Sequence, residues 1–127
     1  MGIWALGINH KTAPVSVRER VAFNPASMPS ALVDICHVNA ATEAVILSTC
    51  NRTEIYGSSA EFNWNQVRDW LANHHGLNAS ELDSALYCLE GDAAVQHTMR
   101  VASGLDSLVL GEPQILGQMK SAYAVAQ

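Results

Sequence analysis

This 127-residue sequence has eight glycines but no Gly-x-Gly-x-x-Gly segment and no phosphate-loop lysine motif. Those arrangements bring backbone N–H groups close to phosphates, so any nicotinamide chemistry would need another domain. Cysteine is scarce. Cys36, Cys50 and Cys88 are odd in number and form no Cys-x-x-Cys pair, which suggests neither a disulfide framework nor a zinc site. His10, His37, His74, His75 and His97 show no His-Glu-x-x-His spacing, and there is no Asp-rich calcium loop, so no metal is expected. No apolar run approaches the roughly 20 residues that a bilayer requires. The start, Met1-Gly2-Ile3-Trp4, lacks the charged region and cleavage site of a signal peptide, and the expected address is the cytoplasm. Internal repeats and low-complexity tracts are missing as well. Basic residues number seven against twelve acidic ones, a formal charge of −5 that argues against a general phosphate-binding surface. The imbalance is local: four basic residues oppose three acidic ones through Arg52, whereas three basic and nine acidic residues follow. A polyanion would approach the first part, and the second reads as a solvated acidic surface.

What is present fits one domain, with a 49% apolar fraction ordinary for a soluble protein. Ile3 to Asn9 reads as a mostly buried strand, and His10-Lys11-Thr12-Ala13-Pro14 as the loop after it. Ser16 with Glu19 has the spacing of a capping box, which predicts a short helix through about Val21. Ala31, Leu32, Ile35 and Cys36 recur at helical spacing and place Cys36 on a core face. Glu43 to Thr49 and Thr53 to Tyr56 read as strands, with Cys50-Asn51-Arg52 at or near their connection. Trp64, Val67, Trp70, Leu71 and His74 mark one helix face, ended by Gly76. Asn78 or Ser80 can cap a short helix, and Ala85 to Leu89 is a candidate fourth strand with Cys88 in the core. Ala93 to about Ser103 reads as a helix carrying His97 in its middle. After Pro113, the residues Ile115, Leu116, Met119, Ala122 and Tyr123 form another apolar stripe, still running when the chain stops, so the sequence looks truncated. About four strand signals among helical patterns predict an α+β fold, a small and mostly antiparallel sheet covered by helices.

The chemistry concentrates around Cys50. The segment Ser48-Thr49-Cys50-Asn51-Arg52-Thr53-Glu54 follows the apolar run Ala44-Val45-Ile46-Leu47, placing a thiol flanked by small polar groups and a guanidinium at the end of a strand. A fixed cation favours thiolate, the species that attacks a carbonyl carbon; the alternative is an inert, buried cysteine. Thr49, Asn51 and Arg52 can stabilise charge around such a nucleophile. His97 is the candidate for proton transfer, against the alternative of a packed helix histidine. Gln114 and Gln118, four residues apart near a helix start, either read a polar ligand or are ordinary exposed glutamines. His74 and His75 fit a helix C-terminus better than a metal.

Gly7-Ile8-Asn9-His10-Lys11-Thr12-Ala13-Pro14, the Cys50 segment and the long run from Ser103 to Gln118, Ser-Gly-Leu-Asp-Ser-Leu-Val-Leu-Gly-Glu-Pro-Gln-Ile-Leu-Gly-Gln, together resemble glutamyl-tRNA reductase over essentially the whole chain. The resemblance implies that residues 1–127 are the N-terminal catalytic domain, with the NADPH-binding and dimerisation domains absent, and it supports a ferredoxin-like split βαβ core with additional C-terminal helices. It further implies that Cys50 takes the glutamyl group from glutamyl-tRNA as a thioester, which NADPH reduces to glutamate-1-semialdehyde for tetrapyrrole (porphyrin, haem) synthesis. Thr49, Asn51 and Arg52 then match positions that hold the glutamyl group. Ser107, Glu112, Pro113, Gln114 and Gln118 match further substrate contacts, and His97 matches a histidine that assists activity. Arg52 has two competing roles, pairing with the substrate carboxylate or stabilising the thiolate.

Without a cofactor domain, this chain is expected to carry only acyl-transfer or esterase chemistry. The full-length enzyme is expected to be a homodimer that passes product to glutamate-1-semialdehyde aminomutase, and the fragment a monomer. The alternative function is a haem-binding regulatory module of the same enzyme, with His10, Cys36, Cys50 or Cys88 as axial ligand. A plain interaction domain is the reading left if the Cys50 thiol is buried and unreactive.

Overall fold

Strand β1, Gly2–Asn9, is central to the fold because its two faces do different work. In the computed structural model, which describes residues 2–37 and 41–103, Trp4, Leu6 and Ile8 are fully buried in the main core with residues of two helices. Successive side chains alternate across a strand, so Ala5 and Gly7 belong to the other face. The chain continues through α1 (Val15–Arg20), a 3₁₀ turn (Pro25–Ser27) and α2 (Met28–His37) to β2 (Glu43–Ser48) and β3 (Arg52–Ser59). Then follow α3 (Trp64–His74), a second 3₁₀ turn (Ala79–Glu81), β4 (Tyr87–Glu90) and α4 (Asp92–Ala102). The sheet order is β2-β3-β1-β4, and every neighbouring pair is antiparallel. Thus β1-α2-β2 and β3-α3-β4 are two split βαβ units, each receiving a strand of the other. The α+β class and the ferredoxin-like arrangement are both found.

Helices α2 and α3 cover one face, contributing Ala31, Leu32, Ile35, Val67, Trp70 and Leu71 to the core around Trp4, Leu6, Ile8, Ile46 and Ile55. Trp70 Nε1 donates to Asp34 Oδ2 at 2.7 Å and so ties the two helices together. On the opposite face α4 packs Ala94 and Val101 against Ala5, Leu47 and Tyr56. Gly91, at φ 61°, turns the chain from β4 into α4, and Gly76, at φ 69°, follows α3 as the sequence predicts. These are left-handed conformations that glycine adopts without steric cost.

The structure revises several local expectations. Helix α1 starts without a Ser16–Glu19 capping box: Pro14 is the N-cap residue, at φ −69° and ψ 165°, with no side-chain cap bond. The Pro14 carbonyl instead accepts from Val17 and Arg18 N–H, each at 3.1 Å. Strand β4 begins at Tyr87 rather than Ala85, because Ala85 and Leu86 both donate their N–H to Leu82 O at 2.9 Å and complete the preceding turn. Trp64 lies on the surface at the start of α3, with Arg68 stacked 5.0 Å from its ring centroid. Cys36 and Cys88 are half-buried rather than fully enclosed, although Cys36 does pack against the main core. His74 stacks on Phe23 and Trp70, with ring centroids 5.0 and 5.3 Å away, so the histidines at this helix end belong to an aromatic cluster. The stripe after Pro113 lies outside the described residues.

Candidate active site

Ser48 pairs with Thr53 in the β2–β3 ladder, so only four residues close the hairpin. Thr49 N–H donates to Arg52 O at 2.8 Å, leaving Cys50 and Asn51 at the tip. The Thr49 hydroxyl accepts from the N–H groups of Asn51 and Arg52 at 3.1 and 3.2 Å. Ser48 Oγ accepts from Phe23 N–H at 2.8 Å and lies 3.3 Å from Thr53 Oγ1. Side-chain oxygens that answer local N–H groups in this way stabilise a turn. The small polar residues around Cys50 therefore pin the tip, and the thiol they present is exposed. The other two thiols are held protonated: burial, assisted by Glu90, pushes Cys88 up to about 11, and burial with Glu43 raises Cys36.

From Arg52 the chain enters β3, where alternation sets Arg52, Glu54 and Tyr56 on the α4 side of the sheet. Arg52 is 1% exposed and Glu54 is fully buried. Arg52 Nη1 donates to Glu54 Oε1 at 2.7 Å, while the other carboxylate oxygen, Oε2, is hydrogen-bonded to His97 Nε2 from α4. Burial works to raise the Glu54 carboxyl, but His97 and Arg52 overcome it and hold Glu54 below its ordinary value. Burial likewise opposes the charge of Arg52, and the adjacent carboxylate more than restores it. An ionised carboxylate only accepts, so Nε2 of His97 carries the proton it shares with Glu54.

Tyr87 of β4 packs edge-on to His97, with ring centroids 5.4 Å apart, and its hydroxyl accepts from Asn9 Nδ2 at 3.4 Å. Burial and the Glu54 charge raise both Tyr87 and Tyr56, which remain neutral donors. Across the ladder Gly7 pairs with Glu54. A Cβ at Gly7 would lie 2.9 Å from Glu54 Cγ, so the missing side chain on β1 is what makes room for the carboxylate.

The structure thus places Thr49 at the closure of the hairpin, Cys50 and Asn51 at its tip, Arg52 at the first position of β3, and His97 against Glu54 rather than alone on its helix. Ser107, Glu112, Pro113, Gln114 and Gln118 lie outside the described residues. The residue that sequence reasoning passed over is Glu54, visible in the motif but unassigned. Its signal was the two-residue spacing from Arg52 on a strand, which aligns opposite charges on one face. Among the described residues no group of three or more His, Cys, Asp or Glu side chains is placed to hold a metal ion. None of the described helices is long and apolar enough to cross a membrane.

Residues 6–127 match the family model described as "Glutamyl-tRNAGlu reductase, N-terminal domain". The glutamyl-tRNA reductase of Pseudomonas savastanoi pv. phaseolicola is 61% identical over all 127 residues, as is that of Stutzerimonas stutzeri, and the chain spans 30% of the length of each. Among solved structures, glutamyl-tRNA reductase from Methanopyrus kandleri superposes with a TM-score of 0.78 at 33% identity, covering 98% of this chain and 28% of that one. With this fold, this hairpin and these matches, the chain belongs to the glutamyl-tRNA reductase family, whose N-terminal domain it represents.

Proposed function

We propose that this domain performs the acyl-transfer half of glutamyl-tRNA reduction in tetrapyrrole synthesis, with Cys50 as nucleophile. The observation that carries the reading is the exposed thiol on a pinned two-residue tip, directly followed by a buried arginine. The Cys50 thiolate Sγ attacks the ester carbonyl carbon of glutamyl-tRNA, a C–S bond forms, and the C–O bond to the terminal ribose breaks. The ribose oxygen leaves with the electron pair and takes a proton, giving free tRNA and a glutamyl thioester. Arg52 receives the side-chain carboxylate of the glutamyl group: a guanidinium carries five donors in a planar fork and can serve two carboxylates at once. Pairing at a residue only 1% exposed also takes that carboxylate out of water, which sharpens selection against an uncharged amide.

His97 has Nε2 committed to Glu54, so Nδ1 is its nitrogen for proton exchange. The hydride that completes the reduction comes from NADPH bound by other parts of the full-length homodimer. Water attacking the thioester makes the isolated domain a slow glutamyl-tRNA esterase. The same reading carries a cytoplasmic location and transfer of the product to glutamate-1-semialdehyde aminomutase. Haem binding at the exposed Cys50 would block acylation.

The test is incubation with labelled glutamyl-tRNA without NADPH, followed by intact mass measurement and assay of released glutamate. A glutamyl adduct that disappears in Cys50→Ser supports the proposal. A folded domain that forms no adduct and releases no more glutamate than Cys50→Ser overturns it.

A further inference from the structure

Glu54 uses both of its oxygens on two different elements, Oε1 on Arg52 of its own strand and Oε2 on His97 of α4. It does so in full burial, in a space left by Gly7 on the neighbouring strand. A fully buried carboxylate is costly unless each oxygen has a partner, and one carboxylate bridging two groups fixes the orientation of both. We infer that Glu54 is a positioning residue of the acyl-transfer site, which holds the Arg52 guanidinium in its recognition pose and locks His97 as the Nε2–H tautomer. This rests on the reading of Arg52 as the receptor of the glutamyl carboxylate.

Without Glu54, the Arg52 guanidinium loses the charge-assisted hydrogen bond to Oε1 that fixes its orientation on the strand. The imidazole then chooses its tautomer freely, and proton exchange at Nδ1 becomes intermittent. Recognition of the glutamyl group weakens first, because the guanidinium supplies selectivity. The hairpin tip keeps its own hydrogen bonds through Thr49 and Ser48, so the thiol itself is undisturbed.

The experiment measures Cys50 acylation by glutamyl-tRNA and by glutaminyl-tRNA in wild type, Glu54→Gln, Glu54→Asp and Arg52→Lys. Glu54→Gln is expected to raise the half-saturating glutamyl-tRNA concentration at least about tenfold, the lower end for loss of a charge-assisted hydrogen bond, and to reduce the preference for glutamyl over glutaminyl substrate. Glu54→Asp restores the charge on a shorter stem and is expected to recover part of that preference. The rate of Cys50 alkylation by iodoacetamide is expected to stay at the wild-type value, a result that general unfolding would not give. Wild-type half-saturation and preference in Glu54→Gln overturn the inference.

Arg52→Lys separates the two levels. An unchanged preference there overturns the reading of Arg52 itself, whereas a lost preference in Arg52→Lys with none lost in Glu54→Gln overturns only the positioning role. If Glu54→Gln does not fold, side-chain ¹⁵N spectra of wild-type His97 decide the matter. A protonated Nε2 supports the inference, and an unprotonated Nε2 overturns it.

Discussion

Replacing Gly7 by alanine presses one methyl group from β1 against the paired strand β3. Its Cβ would lie 2.4 Å from Thr53 O, 2.9 Å from Glu54 Cα and 2.9 Å from Glu54 Cγ. Two of these three atoms are backbone of the paired strand β3, so relief requires β1 and β3 to separate or shear locally. Inserting a methyl group into a well-packed interior costs roughly 1–3 kcal/mol, and backbone neighbours place this site at the upper end. Alanine regains about 0.5–1 kcal/mol over glycine in a strand through lower chain entropy, leaving a net loss of about 2 kcal/mol. For a domain of this size that corresponds to a fall in Tm of roughly 6–10 °C. Urea titration followed by tryptophan fluorescence reads the loss as a lower midpoint at unchanged slope. Gly2→Ala is the matched control, since its Cβ meets only Ser59 O, at 3.8 Å. If Gly7→Ala and Gly2→Ala are equally stable, the argument that the glycine makes room for Glu54 is wrong.

Three further outcomes are expected. Iodoacetamide at neutral pH should label Cys50 well before Cys36 and Cys88, since the first is exposed and the other two have raised pKa values; peptide mapping of a time course showing Cys88 first would contradict this. Burial, and secondarily His74, lowers His75 to about 4, so between the unfolded value near 6.5 and pH 4 the unfolded chain binds more protons and stability falls as pH drops. His75→Gln should flatten the pH dependence in that window, and a wild-type slope in the variant would count against the assignment. Glu54, held below its ordinary value, contributes stability above about pH 4.3 that is lost as pH falls through its lower folded value. Acid titration should therefore show a shallower fall for Glu54→Gln, from an already lower starting stability; an acid limb as steep as that of wild type would refute it.

The elements that were legible in the sequence are those whose side chains repeat with a clean period or form an apolar run. Helices α2 and α3 were readable because Ala31, Leu32 and Ile35, or Val67, Trp70 and Leu71, mark one face each, and strand β1 because it is an apolar run bounded by a loop. The hairpin at Cys50 was readable from its position between two strand patterns. Boundaries failed where backbone geometry outweighed side-chain signals. Pro14 opened α1 without help from Ser16, and a turn through Leu82 delayed β4. The contact of His97 with Glu54 was hidden because the two are 43 positions apart and meet only after α4 folds across the sheet. No local period encodes that encounter. The segment around Cys50 already offered a thiol beside a guanidinium at a strand end, whereas the buried bridge from Arg52 through Glu54 to His97 came from the three-dimensional arrangement.

Trp4 pairs across the ladder with Gly57, just as Gly7 pairs with Glu54. A Cβ on Gly57 would lie 2.5 Å from the Trp4 ring, so each of these rungs matches one bulky side chain to one glycine, on opposite faces of the same strand pair. They act as two steric keys cut in opposite senses. Sliding β3 by one residue would set Trp4 against Tyr56 or Ser58 and also exchange the faces; sliding it by two would set Trp4 against Ile55 or Ser59. Neither shift leaves a slot for both the indole and the carboxylate. Hydrophobic alternation alone tolerates a two-residue slip, but this pair of keys does not. The same glycine that houses the polar bridge therefore also proofreads strand alignment during folding, and a chain that pairs these strands incorrectly forfeits its core and its candidate active site together.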